Sequence, residues 1–325
     1  MTATGRERPN VAAGRPLSGL RVGVLGKGGA GKSTVVVLLA RALSRLGYSV
    51  LVLDADATNL GLASALGVAC EPEPLLAYFG AMRTGVLRPA LFAGGAVTCP
   101  ADDPTTLPGA RVSLDALPPA CVGLSADGVH LLVAGKLGPL GPGAGCDGPV
   151  AKIARDLRVA GLGADDVVLV DFKAGLEDSA RGAVASIDWA VAVVDPTVAA
   201  VHMAIDLERL VGQVRAGVPP PTRHLARQDL AELAIRQFRE SPVRGVRAVL
   251  NRVRAGPMEA FLRESLAHGG PDVLAVLGED PAIQDQWLHG ARLESAELER
   301  AVAHVADALE EHSRDEVPQA RRRSS

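Results

Sequence analysis

The stretch "LRVGVLGKGGAGKSTVVVLLARALSRLG" (20–47) constrains this chain more than any other. A β-branched run enters a glycine loop, and the loop opens into an apolar segment of helical periodicity. That order predicts strand, loop and helix in immediate succession. Gly26 to Ser33 fits the pattern G-x-x-x-x-G-K-[ST]. Glycines let successive backbone N–H groups face one anion at the positive end of the following helix. In such a loop the backbone of Gly28, Gly29, Ala30 and Gly31 cradles phosphate. Lys32 bridges β- and γ-phosphate oxygens, the Ser33 hydroxyl ligates Mg²⁺, and Thr34 reaches the α-phosphate. "SVLVLDAD" (49–56) follows as a second strand, completing a βαβ unit.

The rest of the chain continues the alternation. Strands are expected over 128–137, 165–175, 188–197, 246–253 and 272–280. Helices are expected over 149–161, 198–214, 226–240 and 295–313, with short helices, loops and a weak strand or two in the Pro/Gly/Ala-rich 71–125 stretch. The expected fold is α/β: a mostly parallel, doubly wound sheet with helices on both faces, a P-loop NTPase. Residues 1–18 read as a flexible leader, 19–312 as a single ATPase domain with 213–243 as an insertion, and 313–325 as a disordered tail.

Two acid groups complete the phosphate-loop chemistry. Asp171 ends "VVLVD", where a buried strand delivers a carboxylate to the magnesium water shell. Asp54 and Asp56 end the second strand. Asp56 is placed to orient an attacking water, and Asp54 to support magnesium or the loop. Lysine is scarce in this arginine-rich chain, occurring only at 27, 32, 136, 152 and 173. A compact ammonium fits around phosphate oxygens where a planar guanidinium would clash. Lys27 therefore needs an explanation inside a loop that otherwise uses small residues.

Composition narrows the partners. The net charge is −3 over 325 residues, which argues against nucleic acid as a ligand. Gly, Pro or charge breaks every apolar run below bilayer length, and the leader lacks an apolar signal core. Cys70, Cys99, Cys121 and Cys146 form no C-x-x-C pair, so neither a zinc site nor a disulfide framework is indicated. A cytoplasmic protein is expected.

"GKGGAGKST" resembles the deviant phosphate loop of the MinD/ParA/nitrogenase-iron-protein class, K-G-G-x-G-K-[ST]. The resemblance implies a nucleotide-sandwich homodimer in which Lys27 reaches the ATP bound by the partner subunit. Within the class the chain is most similar to CooC-type ATPases, which mature nickel carbon monoxide dehydrogenase. The similarity is carried by "LDADATNLGLASALG" (53–67), "VDFKAGLEDSARG" (170–182), "VVDPT" (193–197), "VLNRV" (249–253) and "LGEDPAI" (277–283). It implies that Asn251 reads the adenine edge and that Pro281 lies near the adenine ring. It also implies ATP and Mg²⁺ as ligands, with nickel or another soft metal as cargo.

The chain departs from that pattern in two places. CooC proteins carry a C-x-C pair that supplies four thiolates per dimer; here Cys146 matches the first cysteine and Gly148 replaces the second. Two thiolates do not close a tetrahedral soft-metal site. The usual E-A-G of the second switch is Lys173-Ala174-Gly175. The leading expectation is a dimeric, Mg-dependent ATPase that reports ATP to a protein client, as in metalloenzyme maturation, with no membrane partner. A spatial-positioning ATPase of the MinD or ParA kind is the alternative. It lacks support in the acidic final helix, which has no basic apolar face for a membrane. A small-molecule kinase or ligase finds no feature selecting a second substrate.

Overall fold

The computed structural model describes residues 14–79, 104–135, 148–176, 182–223, 225 and 227–315. Its centre is an eight-stranded sheet. In chain order the strands are β1 (Leu20–Gly26), β2 (Ser49–Ala55), β4 (Gly123–Leu124), β5 (His130–Val133), β7 (Asp166–Phe172), β8 (Trp189–Val194), β9 (Gly245–Asn251) and β10 (Asp272–Leu277). Their spatial order is β10-β9-β8-β1-β7-β2-β5-β4. All pairings are parallel except β4 with β5 at the edge. Short β3 (Arg111–Ser113) and β6 (Arg158–Ala160) form a separate parallel pair. The expected mostly parallel, doubly wound α/β sheet is what the chain forms.

Alternation along the central strands builds two cores. Val22 and Val24 of β1, Val167 and Leu169 of β7, and Trp189, Val191 and Val193 of β8 face one side. There they meet α1 (Lys32–Arg45), α2 (Leu62–Leu66) and the long final helix Ala296–Asp315. Val168, Val170 and Phe172 of β7 and Ala190, Ala192 and Val194 of β8 face the other side. They pack on the helices Gly148–Asp156, Val198–Arg215 and Pro257–Ala267. Strands buried on both faces are the reason these runs read as continuously apolar.

Several elements differ from the sequence reading. The helix expected over 149–161 stops at Asp156, and Arg158–Ala160 becomes strand β6, paired with Arg111–Ser113. Arg21 explains the stop. Its guanidinium donates to the carbonyls of Ala154 and Leu157, capping the helix end. The β-branched Val159 then finds strand pairing rather than another turn. The helices Leu62–Leu66, Pro257–Ala267 and Pro281–Leu288 were not anticipated. The helix expected over 226–240 does form, as Gln228–Arg239, whose first and last turns carry Asp229 and Arg236.

The fold gathers the connecting loops at one edge. β1 pairs with β7 so that Val24 stands opposite Asp171, and β2 pairs with β7 so that Asp54 stands opposite Asp171. β8 continues the level, with Val193 opposite Gly26. The segments after β1, β2, β7, β9 and β10 therefore leave the sheet at its carboxyl edge, where α/β sheets bind ligands.

Candidate nucleotide-binding site

The loop 26–31 needs its glycines for two separate reasons. Gly29 and Gly31 have φ of 81° and 92°, the left-handed region that side chains avoid. A Cβ on Gly31 would also stand 2.2 Å from Asn251 Nδ2, and one on Gly26 would stand 2.8 Å from the Val193 carbonyl. The loop is therefore pressed against β8 and β9. Asn251 Nδ2 donates to the Ala30 carbonyl at 2.7 Å, and Arg252 donates to the Gly29 carbonyl at 2.8 Å. These bonds take up loop carbonyls and leave the loop's polarity to its N–H groups.

Lys32, Ser33 and Thr34 open α1. Lys32 is buried, and its Cγ lies where a Cβ on Gly26 would crowd it, at 3.2 Å. The Ser33 hydroxyl donates to Asp171 Oδ2 at 2.6 Å and accepts from Asn59 Nδ2 at 2.6 Å. Thr34 is buried, and its hydroxyl accepts from the Trp287 indole at 3.0 Å. Behind them, Asp54 and Asp171 are fully buried at neighbouring strand ends. Asp54 Oδ1 accepts from the Asp56 backbone N–H, and Asp56 Oδ1 accepts from both the N–H and the hydroxyl of Thr58. This tight turn fixes Asp56 beside the loop.

A cleft of about 470 Å³ opens over these groups. Gly28, Gly29, Gly31, Lys32, Ser33 and Thr34 form its floor; Asp56, Thr58 and Asn59 form one wall. The opposite wall is Asn251, Arg252, Gly278–Asp280, Ile283, Gln284 and Trp287. Pro281 is exposed at the first turn of its helix and is not part of this lining; the preceding Asp280, which caps that helix by accepting from Ala282 N–H, is. Lys27 is half-buried and also lies outside the lining of its own cleft. Asn251 lines the cleft while its amide holds the loop.

Ser33 and Asp171 are joined by a hydrogen bond, and Asp54 stands opposite Asp171 at the neighbouring strand end; hydroxyl and carboxylate oxygens are the donor types that fit a hard divalent cation such as Mg²⁺. Cys146 and its flanking segment lie outside the described residues. Among the described residues no group of three or more His, Cys, Asp and Glu is placed to hold a metal ion. Cys70 is exposed and Cys121 is buried, and both are free thiols.

Sequence reasoning missed Asn59, Arg252 and Trp287. Asn59 was visible, since it stands three residues after Asp56. Arg252 carries a different signal, a φ of 59° that only the folded backbone reveals.

Comparison with known proteins gives this geometry a family. The model of the CobQ/CobB/MinD/ParA nucleotide binding domain matches residues 24–293. The chain belongs to this family. Among curated relatives, the carbon monoxide dehydrogenase accessory protein CooC of Rhodospirillum rubrum is 34% identical over 193 residues, 59% of this chain and 68% of that protein. An uncharacterised ATP-binding protein of Methanocaldococcus jannaschii is 30% identical over 192 residues, covering 59% and 73%. Among solved structures, MinD of Pyrococcus horikoshii complexed with Mg-ADP superposes with a TM-score of 0.55 at 19% identity, covering 89% of this chain and 95% of that one. Its likeness establishes the fold. Like other members of the family, the chain is a P-loop nucleotide-binding protein. No helix among the described residues is long and apolar enough to cross a membrane.

Proposed function

We propose that this protein is a Mg-dependent ATPase that works as a homodimeric switch and acts on a protein client, in the manner of a maturation factor. The observation that carries the reading is that Lys32, Ser33 and Asp56 line one cleft, with Asp171 bonded to Ser33, Asp54 bonded to the Asp56 N–H, and Lys27 outside the lining. In this reading the loop N–H groups and Lys32 hold the β- and γ-phosphates, and Thr34 holds the α-phosphate. Ser33, Asp171 and Asp54 hold Mg²⁺, which when bound neutralises phosphate charge. Asp56 orients the attacking water. Asn251 and the Gly278–Asp280 wall border the base. Lys27, turned out of its own cleft, serves the partner's phosphates as a charge-neutralising finger. The 34% identity to a carbon monoxide dehydrogenase accessory protein favours a client among metalloenzymes. The fold unit spans about residues 19–312 and works in the cytoplasm.

Three variants separate the parts. Lys32→Ala should abolish ATP binding by calorimetry. Lys27→Ala should bind ATP but neither hydrolyse it nor dimerise in light scattering. Asp56→Ala should dimerise with ATP and remain dimeric, because the block falls after assembly. A Lys27→Ala protein that dimerises and hydrolyses normally would sink the shared-site reading.

A further inference from the structure

Trp287 stands at a junction that none of the assigned roles uses. It lines the cleft, and its indole N–H donates to Thr34 Oγ1 at 3.0 Å. Its Cζ3 lies 3.7 Å from where a Cβ on Gly61 would be, so the ring packs over Gly61. Gly61 has φ of 97° and precedes helix Leu62–Leu66. Two residues earlier, Asn59 donates to Ser33. One loop thus touches both hydroxyls of the motif, Ser33 directly and Thr34 through the indole.

We propose that Trp287 is a nucleotide-positioning residue: its indole orients the Thr34 hydroxyl as a donor into the cleft, and its ring links that hydroxyl to Gly61. The inference rests on the cleft being a nucleotide site. An indole N–H can only donate, whereas a hydroxyl carries one proton and two lone pairs. With Thr34 Oγ1 accepting from Trp287, the hydroxyl proton must find an acceptor elsewhere. Within a helix that acceptor is commonly the carbonyl four residues back. Here it is Ala30 O, which accepts from Asn251 Nδ2 at 2.7 Å and receives no bond from the Thr34 hydroxyl. The carbonyl of Gly31, three residues back, accepts from Val35 N–H at 3.1 Å and likewise receives none from that hydroxyl. The proton is left to the cleft, and a phosphate oxygen is the acceptor that the loop delivers there. A threonine without the indole would spend part of its time in other rotamers.

The protein provides its own probe. It has two tryptophans. The other, Trp189, is fully buried at the amino end of β8, bonded to Ser313 and away from the cleft. Saturating Mg-ADP should therefore shift the fluorescence of the full-length wild type, and Trp287→Phe should remove the shift. Calorimetry with Mg-ADP then measures coupling in a double-mutant cycle. Trp287→Phe should weaken binding about three- to ten-fold, the worth of one neutral hydrogen bond. The same change should cost nothing further in a Thr34→Val background, but should cost its full amount beside Thr34→Ser, which keeps the hydroxyl. Equal losses in all three backgrounds, or a wild-type emission unmoved by saturating Mg-ADP, would overturn the proposal. Wild type that binds no nucleotide in the calorimeter overturns the cleft reading itself, before any variant is compared.

Discussion

A methyl group is enough to test the loop at residue scale. Gly31 must hold φ at 92°, and its missing Cβ leaves the space that Asn251 Nδ2 occupies at 2.2 Å. Gly31→Ala therefore has two costs. The left-handed backbone costs about 1–2 kcal/mol, and Asn251 must move off the Ala30 carbonyl. We expect a lower melting temperature and a loss of Mg-ADP affinity of at least ten-fold, because the loop that cradles phosphate loses its anchor on β9. Calorimetry showing undiminished affinity would contradict this account. At this scale the sequence was legible where function is local. Gly26–Thr34 is one contiguous pattern, and Asp54, Asp56 and Asp171 each end a recognisable strand. Trp287 was not legible, because it reaches Thr34 from 253 residues away. Neither periodicity nor spacing records such a contact. Pro281 begins a helix that the sequence reading did not place, and the neighbouring Asp280 lines the cleft.

Elements fail in the sequence reading where a single long-range bond overrides propensity. "PVAKIARDLRVAG" has helical spacing throughout, yet the helix ends at Asp156 because Arg21 takes the carbonyls of Ala154 and Leu157. Arg21 is a β1 residue, so this contact ties the strand before the phosphate loop to the helix that follows the Cys146 segment. Burial, with Arg158 nearby, pushes the Arg21 guanidinium down to about 9, while Asp188 and Asp156 pull it back up. It remains charged at neutral pH. The Arg21 backbone N–H also donates to Asp188 Oδ2 at 2.9 Å, and Arg244 lies 3.9 Å from Asp188 Oδ1. Arg21→Met keeps the stem and removes the charge. It takes the side-chain donor from the Ala154 carbonyl, leaves the Leu157 carbonyl only its bond from Arg158 Nη1, and unbalances Asp188, and should destabilise the fold by roughly 3 kcal/mol. Urea unfolding is the measurement. A midpoint unchanged from wild type would mean that strand pairing between Arg111–Ser113 and Arg158–Ala160 ends the helix without help. The central strands were the opposite case: burial on both faces made them long apolar runs, and their pattern alone located them to within a few residues.

At the scale of the whole molecule, the proposed homodimer raises the question of a bound metal. The family resemblance implies that Cys146, which precedes helix Gly148–Asp156 in the chain, would meet its mate near the two-fold axis of such a dimer. In a pair of subunits it contributes one thiolate from each. Gly148 stands where the relatives place their second cysteine, so the pair has half the ligands of a closed tetrahedral site. Asp147 adds hard oxygens, which a soft ion prefers least. Binding of nickel or zinc should consequently be weak, and it should depend on the dimer, because neither subunit alone offers two thiolates. Titration of wild type and Cys146→Ser, each with and without a non-hydrolysable ATP analogue, measures this directly. We expect no stoichiometric binding in any arm except a weak signal from wild type with the analogue. Tight binding by wild type that disappears in Cys146→Ser would restore a metal-carrying role. Identical behaviour of the two proteins would leave client recognition to the Lys173–Asp178 segment, which opens with a cation. Reversing that charge with Lys173→Glu would then change client capture while leaving Mg-ADP affinity at the wild-type value.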